Sequence, residues 1–185
     1  MSDTFLHTTP ADPRARPLVD ELTLEYDTRY GEFYDQSGEP REMDKYAPEL
    51  FSPALGGHFL LLLRDGQAIA GGAFKRHDDP HTAEVKRVWT HSRHRRQGLA
   101  QRVMEALELQ AVHQGYRRFY LTTGFRQPEA VGLYLGHGYT PLFDLQADRQ
   151  ALRKLPFEKL LHVPAAPAAP AAPAGRSRQA ALSRQ

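Results

Sequence analysis

The sequence predicts an α/β fold of the α+β kind, a mixed sheet of about six to seven strands flanked by about four helices. Two observations carry this reading. Three β-rich segments separated by tight turns, Phe59 to Leu63, Ala68 to Phe74 and Ala83 to Thr90, read as an antiparallel meander. A helix over Gly98 to Gln114 then leads to a strand at Arg118 to Thr122. A crossover of that length between strands of one sheet requires a parallel pair.

The remaining elements follow in order. A short strand is expected near Thr4 to Thr8. A helix begins at Pro17, favourable in a first turn, and runs to about Arg29, with Gly31 as its stop. Glu32 to Pro53 reads as a polar loop holding a short helix around Met43 to Tyr46. The turn Arg64-Asp65-Gly66-Gln67 joins the first two meander strands, because Asp-Gly adopts the positive φ angles that a tight hairpin needs. In the long helix Leu99, Val103, Ala106, Leu107 and Ala111 share one face, and Gly115 ends it. Pro128 opens a short helix over Glu129 to Leu135, and strands are expected at Tyr139 to Phe143 and Phe157 to Leu161. The domain is thus expected over residues 1–162. Residues 163–185 repeat Pro-Ala-Ala, lack apolar surface to pack, and are expected to form a disordered tail.

Composition excludes whole classes of chemistry. The chain of 185 residues is 41% hydrophobic and 25% charged, so a packed core is within reach. It holds no cysteine, which rules out disulfides, thiolate metal sites and an enzyme thiol as nucleophile. The longest apolar run, Phe59 to Leu63, is far short of a membrane span, and the start MSDTFLHTTP has no signal-peptide core. A cytoplasmic protein with no membrane contact is the expectation.

The charge distribution says more than the net +2. Residues 163–185 carry three arginines and no acid, so the body is at −1; within it the window 85–104 holds six cations and no acid, leaving its surroundings at −7. A positive spot in an acidic shell suits a compact polyanion such as a diphosphate better than a nucleic-acid track. His77-x-x-x-His81 with Asp78 and Asp79 reads as a hairpin turn rather than a metal site, since no helix presents both imidazoles on one face.

The segment His91 to Ala100 joins the third meander strand to the long helix and is basic, with Gly98 and Ala100 where the helix begins. A helix start offers unpaired N–H groups and a positive dipole end, and small residues let a phosphate approach them. The segment is neither GxxxxGK[ST] nor GxGxxG. Arg95-x-x-Gly98-x-Ala100 resembles the acyl-CoA signature [QR]xxGx[GA] of the GNAT (Gcn5-related N-acetyltransferase) superfamily. Ala83-Glu84-Val85-Lys86-Arg87-Val88-Trp89-Thr90 before it, Gly115-Tyr116 after the helix, and Ala130-Val131-Gly132-Leu133-Tyr134 leading to Gly138-Tyr139 resemble bacterial members of that superfamily.

The resemblance implies a splayed parallel strand pair and transfer of an acyl group from acetyl-CoA, the co-substrate, to a primary amine by direct attack in a ternary complex, with no metal. An aliphatic amine of pKa about 10.4 is neutral in only about one molecule in two or three thousand at pH 7, so attack needs a proton acceptor. Glu84 stands at the position of the base in histone-acetylating members, and strand alternation is expected to place Glu84, Lys86, Val88 and Thr90 on one face. Tyr134 matches the tyrosine beside the CoA sulfur. A phenol is a weaker acid than a thiol, so full proton transfer is uphill by about 2 kcal/mol and hydrogen-bond donation is the expected role.

The resemblance further places an oxyanion-binding N–H at Val88 or Trp89, near Thr90, and the diphosphate on Arg95, Arg96, Gln97, Gly98, Leu99 and Ala100. Gln127 occupies the position where members often carry an asparagine that holds the pantetheine. Tyr26, Arg29, Tyr30 and Arg76 are the expected acceptor-site residues, the arginines favouring a carboxylate-bearing amine, small molecule or peptide. The alternatives are a CoA-binding sensor without turnover, and a nucleic-acid binder using the arginine cluster. A monomer or homodimer is expected.

Overall fold

A computed structural model describes residues 2–162; the expected tail over 163–185 lies outside the described residues. Seven strands form one sheet: β1 (Asp3–His7), β2 (His58–Arg64), β3 (Gln67–Arg76), β4 (Thr82–Thr90), β5 (Arg118–Gly124), β6 (Thr140–Pro141) and β7 (Lys154–Leu160), in the order β1-β2-β3-β4-β5-β7-β6. All neighbours are antiparallel except β4 and β5. The helices are α1 (Arg16–Ser37), α2 (Leu99–His113), α3 (Pro128–Gly136) and the short α4 (Arg149–Leu152). The β2–β3 hairpin turns on Asp65 (φ 50°) and Gly66 (φ 80°), the double positive φ of a type I′ turn.

The sheet has two apolar faces. On one, Leu60, Leu62, Phe74, Val85 and Phe119 pack against Leu99, Val103 and Leu107 of α2 and Val131 and Tyr134 of α3. On the other, Phe59, Leu61, Ala73 and Trp89 pack against Leu18 and Leu22 of α1. The approach of α1 is close enough that a Cβ on Gly71 would stand 2.8 Å from Leu18 Cδ1.

The first helix is longer than the sequence predicts. Gly31 lies inside it, and the stop is Gly38, with φ 69° and its N–H donating to the Tyr34 carbonyl at 2.9 Å. The helix continues because Tyr30 is buried and Phe33 sits edge-to-face on Phe125, with centroids 5.7 Å apart. That packing offsets the roughly 1 kcal/mol that an internal glycine costs. The helix expected around Met43 to Tyr46 is a run of turns, followed by 3₁₀ turns at Pro48–Phe51 and Pro53–Leu55. The strand expected over Tyr139 to Phe143 shrinks to Thr140–Pro141, since proline cannot donate to a ladder.

The expected alternation along β4 is also corrected. Trp89 pairs with Gly71 and Lys86 with Ala73, so Arg87 and Val88 together oppose Gly72. Arg87 takes φ 58°, and this bulge reverses the parity of the strand. Ala83, Val85 and Val88 therefore face α2, whereas the partly buried Glu84 and Lys86 share the other face with Trp89. Glu84 and Thr90 do not share a face.

One half-buried polar pair lies far from the splay. His7 Nδ1 and His58 Nε2 are 2.7 Å apart, His58 stacks on Phe74, and its Nδ1 has no partner among the described residues. Burial, with a smaller contribution from His7, pushes the His58 imidazole down to about 4. The unfolded chain then takes up a proton near pH 6.5 that the native state refuses, so this contribution is full above that pH and fades as pH falls toward 4. Thermal melts should show a steeper loss between pH 7 and pH 5 for the wild type than for His58→Gln. Equal slopes would contradict a neutral buried imidazole.

Candidate active site

The strands β4 and β5 pair over only three rungs, Thr82 with Arg118, Ala83 with Phe119 and Glu84 with Tyr120. Beyond Glu84 they diverge, and past the gap lies a cleft of about 700 Å³ bounded by the end of β4, the β4–α2 turn, α3 and the middle of α1. Val88, Trp89, Thr90, Arg95, Arg96, Gly98, Leu99, Ala100, Gln127 and Tyr134 all line it. The expected cofactor residues are thus brought together, with one exception. The Gln97 amide oxygen accepts from Arg64 Nη1 at 3.2 Å, turning that side chain away from the cleft toward β2.

The helix start is built as the sequence implies. Gly98 caps α2 with φ 71°, no side chain caps the first-turn N–H groups, and a Cβ placed on Gly98 meets nothing within 4 Å. Open amides at a positive dipole end, flanked by two arginines, form an anion cradle. Deeper in, the Thr90 hydroxyl is buried without a partner, an oxygen that a bound polar group would satisfy. The residues present therefore fit acetyl-CoA: diphosphate at the α2 start, an extended polar chain along the diverging strands.

A row of acids on α1, absent from the sequence expectations, organises this turn. Glu21 accepts from Trp89 Nε1 at 3.0 Å, from the Ser92 N–H at 3.0 Å and from the Ser92 hydroxyl at 2.9 Å. One helical turn on, Glu25 pairs with Arg95 at 3.1 Å and with Arg29 at 3.3 Å, and Arg29 also pairs with Glu129 of α3. The i, i+4, i+8 spacing of Glu21, Glu25 and Arg29 was the visible signal. Arg29, expected at the acceptor site, bridges α1 and α3 across this cleft.

Tyr134 sits where the cleft meets a smaller inner pocket of about 70 Å³, lined also by Tyr26, Glu42, Tyr46, Lys86, Thr122 and Thr123. Its ring packs on Tyr139 and Phe157, and burial pushes its phenol well above the ordinary value. That widens the gap to a thiol and makes the hydroxyl a donor rather than an acid. The Gln127 amide oxygen accepts from the Gly124 N–H and the Thr123 hydroxyl at 3.1 and 3.2 Å, which leaves its NH₂ group as the donor available to the cleft.

Glu84 occupies the apex of the splay, behind Lys86 and Tyr46 rather than on the wall of the pocket. Lys75 Nζ stands at 2.6 Å and Lys86 Nζ at 2.9 Å from its carboxylate. Burial works to raise its pKa, but the two ammonium groups outweigh it and hold the carboxyl below its usual value. Arg76 lies beside Tyr116 and Gly56, opposite Ala83 at the closed end of the parallel pair, and lines none of these spaces. Tyr26 and Tyr30 do line a second chamber of about 180 Å³ with Phe33, Tyr34, Phe125, Glu42 and Lys154 among its walls. The acids lining these spaces, Glu25, Glu39, Glu42 and Glu129, and Glu21 behind the turn, carry no expectation from the sequence.

The sequence profile described as Acetyltransferase (GNAT) family matches residues 6–139, and the chain belongs to that family. No curated protein matches the chain. A Klebsiella pneumoniae structure with the provisional name acyl-CoA N-acyltransferase is 24% identical with a TM-score of 0.63, covering 86% of this chain and 98% of its own. A GNAT family acetyltransferase from Staphylococcus aureus is 14% identical with a TM-score of 0.63, covering 87% of this chain and 100% of its own. A third, from Elizabethkingia anophelis with acetyl-CoA bound, is 16% identical with a TM-score of 0.56, covering 86% and 98%. These likenesses show the GNAT fold, and the family match makes the protein a GNAT acetyltransferase.

Two substitutions test the cradle. Gly98→Asp places bulk and negative charge at the α2 start and should weaken CoA binding by at least about tenfold in calorimetry, with an unchanged circular dichroism spectrum. Glu25→Gln releases Arg95 from a half-exposed ion pair and removes an acid from the cleft. Since such pairs are worth about 0.2–1 kcal/mol, CoA should bind about 1.5- to 5-fold tighter, and weaker binding would show that Glu25 positions Arg95 rather than competes for it.

Proposed function

We propose that this protein transfers an acetyl group to a primary amine by direct attack, with both substrates bound at once. The observation that carries the reading is the continuity of the site. One cleft runs from the open amides of Gly98 to Ala100, past Thr90 and Val88, to Tyr134, and there meets the inner pocket, whose further walls are Tyr26, Glu42, Tyr46 and Thr122. A donor and an acceptor can thus approach the gap between β4 and β5 from two sides.

Acetyl-CoA, when bound, supplies an acetyl group activated as a thioester. Arg95, Arg96 and the first amides of α2 hold the diphosphate, and the Gln127 NH₂ group holds the pantetheine arm. An N–H at Val88 or Trp89 polarises the carbonyl; the bulge at Arg87, which leaves one residue outside the ladder, supports that role. Tyr134 donates a hydrogen bond toward the leaving sulfur. Glu84 takes up one proton from the Lys86 ammonium, and the amine proton, passed on by water, replaces it on the Lys86 nitrogen, so that the net transfer is from amine to carboxylate.

A CoA-binding protein without turnover is the second reading, and the same double lysine clamp favours it, because a carboxylate so held is a weak base. Thiol release from acetyl-CoA across a broad amine panel, with mass spectrometry of the product, separates the two. Acetylated amine is the expected result; CoA binding with no release from any amine would overturn the enzyme reading. Because the Glu84 carboxyl is held below its usual value, it stays ionised through mildly acidic pH, and the amine sets the pH profile. Glu84→Gln should lower kcat most at low pH, where the amine is most protonated, and leave CoA affinity unchanged. Equal rates at every pH would remove Glu84 from the mechanism.

A further inference from the structure

We infer that the acceptor is a primary amine separated from a carboxylate by an aromatic or apolar spacer, and that Arg153 and Lys154 hold the carboxylate. The inference rests on the acyl-transfer reading and concerns the second chamber, which shares Tyr26, Glu42, Thr122, Thr123 and Gln127 with the inner pocket and so continues it outward.

The middle of the chamber is aromatic. Phe125 sits edge-to-face on Tyr30 and on Phe33, at 5.8 and 5.7 Å between centroids, and Tyr26 and Tyr34 complete the wall. Such walls favour a flat or apolar body. The two ends differ in how their charges are paired. At the inner end Glu42, which lines both spaces, pairs with Lys45 at 3.3 Å and lies 3.9 Å from Lys86, and Glu39 lies 3.6 Å from the same Lys45. An arriving ammonium exchanges with Lys45 at Glu42.

At the outer end the situation is reversed. Neither Arg153 nor Lys154 forms an ion pair among the described residues. The Arg153 guanidinium lies 5.4 Å from the Phe33 ring centroid, and its carbonyl accepts from the Phe125 N–H at 3.1 Å, so the cation is fixed to the aromatic wall. Arg153 also takes φ 60°, a conformation unfavourable for a residue with a side chain and one that persists only where the surroundings impose it. Both cations are exposed at the rim of the chamber, whereas Arg126, beside the same rings, is paired with Glu32 at 2.8 Å.

Register gives the separation. Thr122, beside the inner pocket, pairs with Pro156, and Gly124 pairs with Lys154. The cations are thus two residues further along the sheet, roughly 7 Å from the reacting end. An α-amino acid, with both charges on one carbon, is too short to reach both ends; an amine and a carboxylate across a ring can do so. The arginines expected at the acceptor site do not compete for the carboxylate, because Arg29 is bound to Glu25 and Glu129 and Arg76 lies at the closed end of the sheet.

The test compares para-aminomethylbenzoate with para-methylbenzylamine in acetyl-CoA thiol release. The wild type should prefer the acid by at least about tenfold in kcat/KM. The double variant Arg153→Glu with Lys154→Glu should lose that preference and turn to para-xylylenediamine, and Lys154→Glu alone should move the same way by less. Equal use of the acid and the neutral amine by the wild type would overturn the anion site while leaving acyl transfer standing. If no amine releases thiol, the acyl-transfer reading fails on its own, and calorimetry of para-aminomethylbenzoate with CoA present decides the site. Binding that the double variant abolishes supports it; absence of binding to the wild type overturns it.

Discussion

Two parallel strands can stay hydrogen-bonded only while their backbones run side by side, and β4 and β5 do so for three rungs. The rest of the molecule is arranged around their parting. Backbone groups that leave a ladder inside a protein need other partners, and the gap they leave cannot close, because α2 and α3 are packed under one face and α1 under the other. The result is a gap in the sheet where the cleft and the inner pocket meet, with Val88, Gln127 and Tyr134 in both walls. The bulge at Arg87 acts at the same place: it turns Val88 toward α2, and Arg87 onto the ring of Phe51 on the α1 side. In the proposed reading this one inserted residue lies between the cleft for the donor and the chamber for the acceptor.

Electrostatics divides the passage in the same way. The α2 start is positive by its dipole and its arginines, yet α1 lays Glu21 and Glu25 against it. The two acids differ in kind. Glu21, with three hydrogen bonds and a pKa held below its usual value chiefly by Trp89 and Ser92 against the cost of burial, ties the turn to the helix. Glu25 holds Arg95 in a half-exposed pair, open to exchange in the proposed reading. On the opposite side Glu84, Lys75 and Lys86 form a closed charge group under Tyr46, whose ring lies 5.2 and 4.8 Å from the two ammonium nitrogens.

Much of this was legible in the sequence, for identifiable reasons. The meander announced itself through the Asp65-Gly66 turn and the long helix through its apolar spacing, both local signals. The α2 start was legible because small residues after a basic turn have few other uses. What escaped was set by tertiary contact. Gly31 reads as a helix stop until Phe33 and Phe125 meet; β4 reads as a regular strand until Gly72 is found opposite two residues. Arg29 and Arg76 look alike as cations near element ends, yet one bridges the cleft and the other sits at the closed end of the sheet. Arg153 carried no sequence signal, since its φ and its place beside Phe33 follow from the β5–β7 pairing.

The central claim is that the parting of β4 from β5, ending at the open amides of α2, is where the activated acetyl group is held. A crystal structure with acetyl-CoA tests it most directly. The account predicts diphosphate on the amides of residues 98–100, the pantetheine between the diverging strands, and the acetyl carbonyl beside Val88 with the sulfur near the Tyr134 hydroxyl. A structure with acetyl-CoA bound elsewhere and this cleft empty would contradict it.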